Sequence, residues 1–196
     1  MNLKTVIFIG RSGCGKGSQI EGLTNYLKEN DSREVFHLES GERFRSFIKE
    51  DNYSSQLSLE ISEAGLLQPA FLSIWAWTSE LINKIKSNQH LLIDGTPRRQ
   101  IEAEILESAF AFYGRKKIEV IYINVSKEWA IEKMLARGRQ DDKEMANILA
   151  RMDWFDSDVK PVIDFYKTHP SHVFYEINGE QTIKQVQEEI LKLLEK

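Results

Sequence analysis

The stretch Gly-Arg-Ser-Gly-Cys-Gly-Lys at residues 10–16 lies between an apolar run, Thr5–Ile9, and a segment with helical spacing of apolar residues at 20–27. Glycines allow the backbone to turn so that its N–H groups face an anion, and the N-terminus of the following helix adds a favourable potential. A turn that only joined a strand to a helix would need neither the glycines nor the lysine. The stretch therefore predicts a phosphate-binding loop in which Lys16 reaches the outer phosphates of a nucleotide.

The composition indicates one folded domain. The chain has 196 residues, of which 41% are hydrophobic, and this excludes a disulfide-held miniprotein and a disordered tail. Its formal net charge of -4 offers no general attraction to nucleic acid or to an anionic membrane, so a bound anion must be held locally. The single cysteine, Cys14, and the polar start of the chain favour a cytoplasmic protein. We expect a monomer with no nucleic-acid or membrane partner.

Short apolar runs alternate with helix-like segments through most of the chain. This order predicts an α/β protein of the phosphate-loop type, with three layers and a five-stranded parallel sheet between helices. Because each run is continuous instead of alternating, we expect the strands to be covered on both faces. The predicted strands are Thr5–Ile9, Val35–Leu38, Leu91–Ile93, Ile118–Val125 and Val173–Ile177.

The segment between the second and third predicted strands, Glu39 to Gln89, is too long for one crossover helix. It contains two or three stretches of helical spacing, which predicts an inserted helical subdomain from Ser40 to about Phe71. Helix starts are also readable elsewhere. Ser126 is a candidate N-cap, and Thr182 with Gln185 forms a capping box at the start of the last helix.

The end of the phosphate loop and four later stretches of the chain match motifs of one known family. The loop ends in Gly-Lys-Gly-Ser-Gln and resembles the phosphate loop of adenylate kinases and other nucleoside monophosphate kinases. The four stretches match motifs of that family in the family's order, so the resemblance covers nearly the whole chain. They are Ser-Gly-Glu-Arg-Phe-Arg at 40–45, Gly-Leu-Leu-Gln-Pro at 65–69, Asp-Gly-Thr-Pro-Arg at 94–98, and Arg139 to Arg151 with Asp141 and Asp142 between.

The resemblance implies a division of labour along the chain. Residues 1–196 would form a single kinase domain whose core comprises 1–39 and 72–196. The insert at 40–71 would bind the nucleoside monophosphate, and a very short lid at 137–143 would close over the reacting phosphates. That lid lacks the zinc-type cysteines of longer lids.

The same resemblance implies roles for individual residues. The candidate ATP-binding residues are Gly13, Cys14, Gly15, Lys16, Gly17, Ser18, Gln19, Lys133 and Arg137. The candidate acceptor-binding residues are Ser40, Arg45, Gln68, Arg98, Glu102, Arg139 and Arg151. The candidate catalytic residues are Lys16, Arg98, Arg137, Arg139 and Arg151.

Charged residues near the predicted strand ends also have a physical interpretation. Asp94 ends a strand at the carboxyl edge of the sheet, where its carboxylate can hold the hydration shell of Mg²⁺ or, alternatively, cap the next turn. Arg98 lies over the same edge and presents a planar fork to phosphate. Without the resemblance, Arg45 would be interpreted as a solvated surface residue. The arginines at 137–151 would then be interpreted as ordinary charges at a helix end, balanced by the nearby aspartates.

Two of the departures from the family pattern affect recognition of the bases. Glu102 stands where adenylate kinases place a glutamine that reads adenine, and a carboxylate suits the paired N–H donors of guanine better. Gln68 or Gln100 can take over adenine reading, in which case Glu102 would be an ordinary exposed helix residue. Lys133 replaces an arginine that stacks on the ATP adenine in many relatives, and its ammonium stacks less well.

The sequence therefore predicts a phosphotransferase that moves the γ-phosphoryl group of Mg-ATP reversibly to a nucleoside monophosphate, with AMP the favoured acceptor. GMP, CMP or UMP are the alternative acceptors. A non-catalytic nucleotide-binding protein of the same fold is the remaining alternative. No histidine has a metal partner at a recognisable spacing.

Overall fold

A computed structural model of the chain describes residues 2–139, 142 and 144–195. These residues form five strands: β1 Thr5–Ile9, β2 Val35–Glu39, β3 His90–Asp94, β4 Ile118–Asn124 and β5 His172–Asn178. Between them lie α1 Lys16–Asn30, α2 Ser40–Phe47, α3 Tyr53–Glu63, α4 Ala70–Lys84, α5 Gln100–Phe112, α6 Lys127–Arg137, α7 Met145–Trp154, α8 Lys160–Thr168 and α9 Ile183–Leu194. A π-helical turn, Phe155–Val159, joins α7 to α8.

The sheet is parallel throughout, with the order β2-β3-β1-β4-β5. The predicted α/β fold with a five-stranded parallel sheet is therefore confirmed. Parallel strands place all their carboxyl ends at one edge, which brings the ends of β1 and β3 beside the phosphate loop. Among the described helices, none is both long and apolar enough to cross a membrane.

The core has two halves, one on each face of the sheet. Alternate residues of β1 face opposite ways, so that Val6 and Phe8 pack in one half and Ile7 and Ile9 in the other. The first half contains apolar residues of α1, α6, α7 and α9. The second contains those of α4, α5 and α8, including Trp77, which is fully buried. This arrangement is the predicted three-layer packing.

The prediction that helices cover each strand on both faces is correct for the three central strands and wrong for the two edge strands. All residues of β1 are buried, whereas β2 has one buried residue, Leu38, and β5 has one, Ile177. An edge strand has a neighbour on one side only, and the covering helices reach it incompletely. A continuous apolar run in the sequence therefore does not distinguish an edge strand from a central one.

The long segment between β2 and β3 forms three helices, as the spacing predicts. α3 begins at a capping box in which Asn52 accepts from the backbone N–H of Ser55. The caps predicted from the sequence are also present, since Ser126 accepts from Trp129 and Thr182 pairs with Gln185. These caps fix where α6 and α9 start, and the start of α9 lies at the cleft described next.

Candidate active site

A cleft of about 1900 Å³ opens at the carboxyl edge of the sheet. It is lined by the phosphate loop, α2, the turn after β3, the end of α6, α7 and the turn between β5 and α9. Every candidate ATP-binding, acceptor-binding, catalytic and metal-binding residue named from the sequence lines this one cleft. The turn at 179–182 carries no nucleotide-binding motif, so the sequence assigned it only the helix cap at Thr182.

The phosphate loop has the backbone of an anion cradle. Gly13 and Gly15 adopt φ values of 88° and 91°, a region that favours glycine, and α1 starts at the next residue, Lys16. The Lys16 ammonium donates to the carbonyl oxygens of Gly10 and Arg11 at 2.7 and 3.1 Å. The loop therefore positions the lysine at the N-terminus of α1, where an anion is favoured.

Arg11 anchors the loop and was not singled out from the sequence. Its guanidinium donates to Asp156 at 2.8 Å and lies 4.3 Å above the ring of Phe155. Both partners belong to the π-helical turn, a feature that is frequent at functional sites. No pattern in the sequence predicts the π-helical turn, so the partners of Arg11 could not be predicted.

Asp94 is the last residue of β3 and pairs in register with Phe8 of β1, two residues before the phosphate loop begins. It is half-buried and lines the cleft. A carboxylate that lines the cleft at this point suits the hard oxygen ligation that Mg²⁺ requires. The residues present therefore fit the predicted metal.

Glu102 is fully buried at the start of α5, which excludes the alternative that it is an exposed helix residue. Its Oε2 accepts from the Thr96 hydroxyl at 2.9 Å and from the Arg98 backbone N–H at 3.2 Å. Among the described residues, its Oε1 has no hydrogen-bond partner. One carboxylate oxygen is thus hydrogen-bonded within the protein, while the buried Oε1 lies 3.9 Å from Arg99 Nη1.

The Arg98 side chain is half-buried beside the ring of Trp154, 5.4 Å from its centroid. Burial lowers the pKa of its guanidinium, while the carboxylates of Glu102 and Asp94 act to raise it. Arginine stays charged through any such shift. A half-buried cation that lines the cleft is a favourable position for a phosphate.

The first helix of the insert is joined to the turn after β3. The Ser40 hydroxyl donates to the Gly95 carbonyl at 2.8 Å, and Arg45 pairs with Glu39 at 2.7 Å. The Arg45 side chain is 52% exposed and lines the cleft. It is therefore positioned by one carboxylate and open to a ligand.

The two glutamines offered as alternative base readers are engaged elsewhere. The Gln68 amide makes three hydrogen bonds within the insert, to the hydroxyl and carbonyl of Ser58 and to the hydroxyl of Ser62. Gln100 is exposed and donates to Glu104. Gln68 thus uses its amide nitrogen within the insert, and Gln100 is not among the residues that line the cleft.

The insert is docked on α7 through the Gly65 turn. Trp154 Nε1 donates to the Gly65 carbonyl at 3.1 Å, and the Asn147 amide donates to the Glu63 carbonyl at 2.7 Å. A Cβ on Gly65 would lie 2.8 Å from Cα of Asn147, so this contact requires glycine. The close packing of the insert on α7 therefore explains why the Gly-Leu-Leu-Gln-Pro stretch begins with glycine.

The predicted arginine cluster forms around one buried carboxylate. Asp142 accepts from Arg137 Nη2 at 3.2 Å and from Arg151 Nη1 at 3.1 Å. The Arg139 side chain is exposed at the mouth of the cleft. The other predicted aspartate, Asp141, and part of the predicted lid at 137–143 lie outside the described residues.

Of the remaining ATP-binding candidates, Lys133 lies 4.5 Å over the ring of Trp129 at the cleft. Gln19 is buried and donates to the Ile183 carbonyl at 3.1 Å, which ties α1 to the start of α9. The Trp129 ring is thus a flat surface beside Lys133, where the sequence predicted the adenine of ATP.

A phosphate loop after β1, an aspartate at the end of β3 and arginines around one cleft define a nucleotide-binding α/β protein of the phosphate-loop class. The family model described as "Adenylate kinase" matches residues 8–171. The chain therefore belongs to the adenylate kinase family. It is a phosphotransferase of the nucleoside monophosphate kinase type.

Individual relatives agree over almost the full length. The chain is 29% identical to an adenylate kinase of Corynebacterium urealyticum over 191 residues, covering 97% of this chain and 99% of the relative. An adenylate kinase of Flavobacterium johnsoniae is 27% identical, with 97% of each chain covered. One from Prochlorococcus marinus is 31% identical, with 95% of this chain and 96% of the relative covered.

Replacing the phosphate-loop lysine tests the cradle. Lys16→Ala should keep the fold, because the glycines shape the loop, and should lower kcat/KM by on the order of 10²–10³-fold, because the cation facing the donor phosphates is lost. The measurement is steady-state kinetics with ATP and the best acceptor, with Tm as the check on folding.

The matched control is Lys28→Ala, which removes an exposed lysine from the far end of the same helix. It should leave kcat/KM unchanged. Near-normal turnover in Lys16→Ala would show that this lysine does not bind the donor.

Proposed function

We propose that the protein transfers the γ-phosphoryl group of ATP reversibly to AMP, as an adenylate kinase with AMP as its preferred acceptor. The observation that carries this choice is the hydrogen bonding of Glu102. The free acceptor atoms of Glu102 distinguish between nucleoside monophosphates, because their bases present different hydrogen-bond donors.

A carboxylate with two open oxygens would favour guanine, whose N1–H and N2–H₂ donors lie side by side. In Glu102, Oε2 already accepts from Thr96 and from the Arg98 backbone. Among the described residues only Oε1 lacks a hydrogen-bond partner, and it lies 3.9 Å from Arg99 Nη1. One acceptor matches the single exocyclic amino group of adenine. The advantage of guanine at this position is thereby removed, which supports AMP.

The phosphates of the two nucleotides would be held by separate groups. Lys16 and the loop N–H groups would bind those of ATP, while Arg45 and Arg98 would bind the acceptor phosphate. Each is at the cleft with a geometry suited to an anion: Lys16 is at a helix N-terminus, Arg45 is exposed and Arg98 is half-buried. Phosphoryl transfer needs mainly alignment and charge neutralisation, which such groups supply.

The moving phosphoryl group would lie between Arg137, Arg139 and Arg151. Asp142 holds the first and last of these, which fixes their direction before the reaction and limits the cost of bringing cations together. The division into a core, an insert at 40–71 and a lid at 137–143 is part of this proposal. The contacts of Ser40 with Gly95 and of Gly65 with α7 mark where the insert would pivot and close.

Mg²⁺ would be held near Asp94 through water and would neutralise charge on the donor phosphates when bound. Asp94 contributes an oxygen acceptor at the end of β3 and faces the same cleft as Lys16. The Gly95 carbonyl beside it is occupied by the Ser40 hydroxyl, which leaves the Asp94 carboxylate as the hydration-shell acceptor.

An acceptor panel tests the proposed activity. ADP formation from ATP is measured with AMP, GMP, CMP, UMP and dTMP at matched concentrations. AMP should give the highest kcat/KM. A higher value for another monophosphate would reassign the acceptor, and no turnover with any of them would indicate a nucleotide-binding protein without kinase activity.

Arg45 and Arg139 should affect different kinetic constants. Arg45→Ala should raise the acceptor KM by roughly 10- to 100-fold, because its contact would exist both before and during transfer. Arg139→Ala should mainly lower kcat, because its partner is the moving phosphoryl group. Arg151→Ala should also lower kcat, but it removes one of the two arginines that pair with the buried Asp142, so its Tm must be measured as well.

Arg45→Lys is the conservative control, since it keeps the charge and loses the fork, and its KM should fall between those of the parent and Arg45→Ala. Equal changes in the ATP and acceptor constants for Arg45→Ala would contradict this placement.

Glu102→Gln should raise the preference for AMP over GMP. The amide oxygen can keep the bonds from Thr96 and the Arg98 backbone, so the amide nitrogen takes the place of Oε1. It donates to adenine N1 but meets donors on guanine. The ratio of kcat/KM for AMP to that for GMP should shift by about 1–3 kcal/mol.

Glu104→Gln, an exposed change two positions along the same helix, is the matched control and should leave the ratio at its parent value. A ratio that is also unchanged in Glu102→Gln would mean that Glu102 does not touch the base.

A further inference from the structure

Three potential metal ligands meet at the end of the molecule opposite the cleft. Glu107 lies on α5, His169 follows the end of α8, and His172 is the first residue of β5. His172 pairs in register with Ile118, the first residue of β4, which places the cluster at the amino ends of the parallel strands. The cleft lies at their carboxyl ends, so the two sites are separate.

The side chains converge closely. His172 Nε2 is 2.8 Å from Glu107 Oε1, and His169 Nε2 is 4.0 Å from Glu107 Oε2. One ligand atom from each of the three residues can be chosen so that all lie within 4.8 Å of one another. A zinc ion bound at 2.0–2.2 Å needs ligand atoms somewhat closer than this, a change that small side-chain rotations supply.

The two imidazoles face each other with their centroids 3.9 Å apart. The His172 side chain is 3% exposed, and among the described residues its Nδ1 has no hydrogen-bond partner. Tyr166 also stacks on the His172 ring, with the centroids 5.5 Å apart, so the ring is held in place. Two imidazole rings and one carboxylate therefore offer nitrogen and oxygen ligand atoms to a common point.

We propose that Glu107, His169 and His172 bind one divalent transition-metal ion of the zinc class. Two imidazole nitrogens and one carboxylate oxygen are ligands that Zn²⁺ prefers, and water would complete the tetrahedron. Mg²⁺ prefers oxygen ligands and would remain at the cleft. The ion would join α5 to the turn between α8 and β5, and the inference does not depend on the proposed kinase reaction.

This metal site could not be predicted from the sequence, because Glu107 is far from the two histidines along the chain. Glu107 and His172 are 65 residues apart along the chain. His169 and His172 are close in sequence but flank the turn that contains Pro170, with no further histidine or cysteine nearby. Only the packing of α8 and β5 against α5 brings the carboxylate to them.

Isothermal titration of the chelator-treated full chain with ZnCl₂, in millimolar Mg²⁺, tests the proposal. The parent protein should bind one zinc ion per chain. His169→Ala, at a partly exposed turn position, and Glu107→Gln should each weaken zinc binding by about 10- to 100-fold or more. His37→Ala is the matched control, because it removes an exposed histidine of β2 and should leave zinc affinity unchanged.

Thermal unfolding gives a second readout that does not involve activity. With zinc about 100-fold above its Kd, Tm of the parent and of His37→Ala should rise by roughly 5–10 °C, and Tm of His169→Ala should not. His172→Ala is left out because the ring is buried and its removal threatens the fold.

Three results would overturn the proposal. The first is no zinc binding by the parent. The second is equal affinity in the parent and His169→Ala, which would place zinc elsewhere, for example at Cys14. The third is displacement of zinc by millimolar Mg²⁺, which would show an oxygen-ligand site.

Discussion

The close packing of the phosphate loop against β4 and α6 is the constraint on which the rest of the site depends. A Cβ on Gly13 would lie 2.4 Å from the carbonyl oxygen of Ala130, and one on Gly10 would lie 2.7 Å from that of Ile123. Only glycine permits both approaches. The anion cradle is therefore fixed by backbone packing, and the surrounding side chains are arranged around an immovable centre.

Much of the fold could be predicted because it follows from local chemistry. The strand–loop–helix at 5–30, the caps at Ser126 and Thr182 and the helical insert all depend on neighbours within a few residues. Coverage of the edge strands could not be predicted, because it depends on which strands lie beside β2 and β5 in the sheet. The apolar run of β5 looks like that of β1 in sequence, yet most of its residues are only partly buried.

The residues of the cleft likewise divide into those that local sequence predicts and those that depend on distant contacts. Motif residues such as Lys16 and Asp94 were found because each follows a strand that ends at the cleft. The burial of Glu102 was not predictable, since it requires Thr96 and the Arg98 backbone to turn toward α5. The partnership of Arg11 with the π-helical turn joins positions 145 residues apart, and no spacing rule reaches so far.

A chain with a net charge of -4 attracts phosphate only through the local arrangement of its cations. At the cleft these cations are held by protein oxygens: Lys16 by loop carbonyls, Arg45 by Glu39, and Arg137 with Arg151 by Asp142. Because two guanidiniums share the one buried carboxylate, the group keeps a positive charge while neither arginine depends on solvent for its position. A guanidinium has five donors and Asp142 occupies only some of those on Arg137, so a phosphate can bind without breaking the pair. The same carboxylate therefore holds the arginines in place and leaves them attractive to an anion.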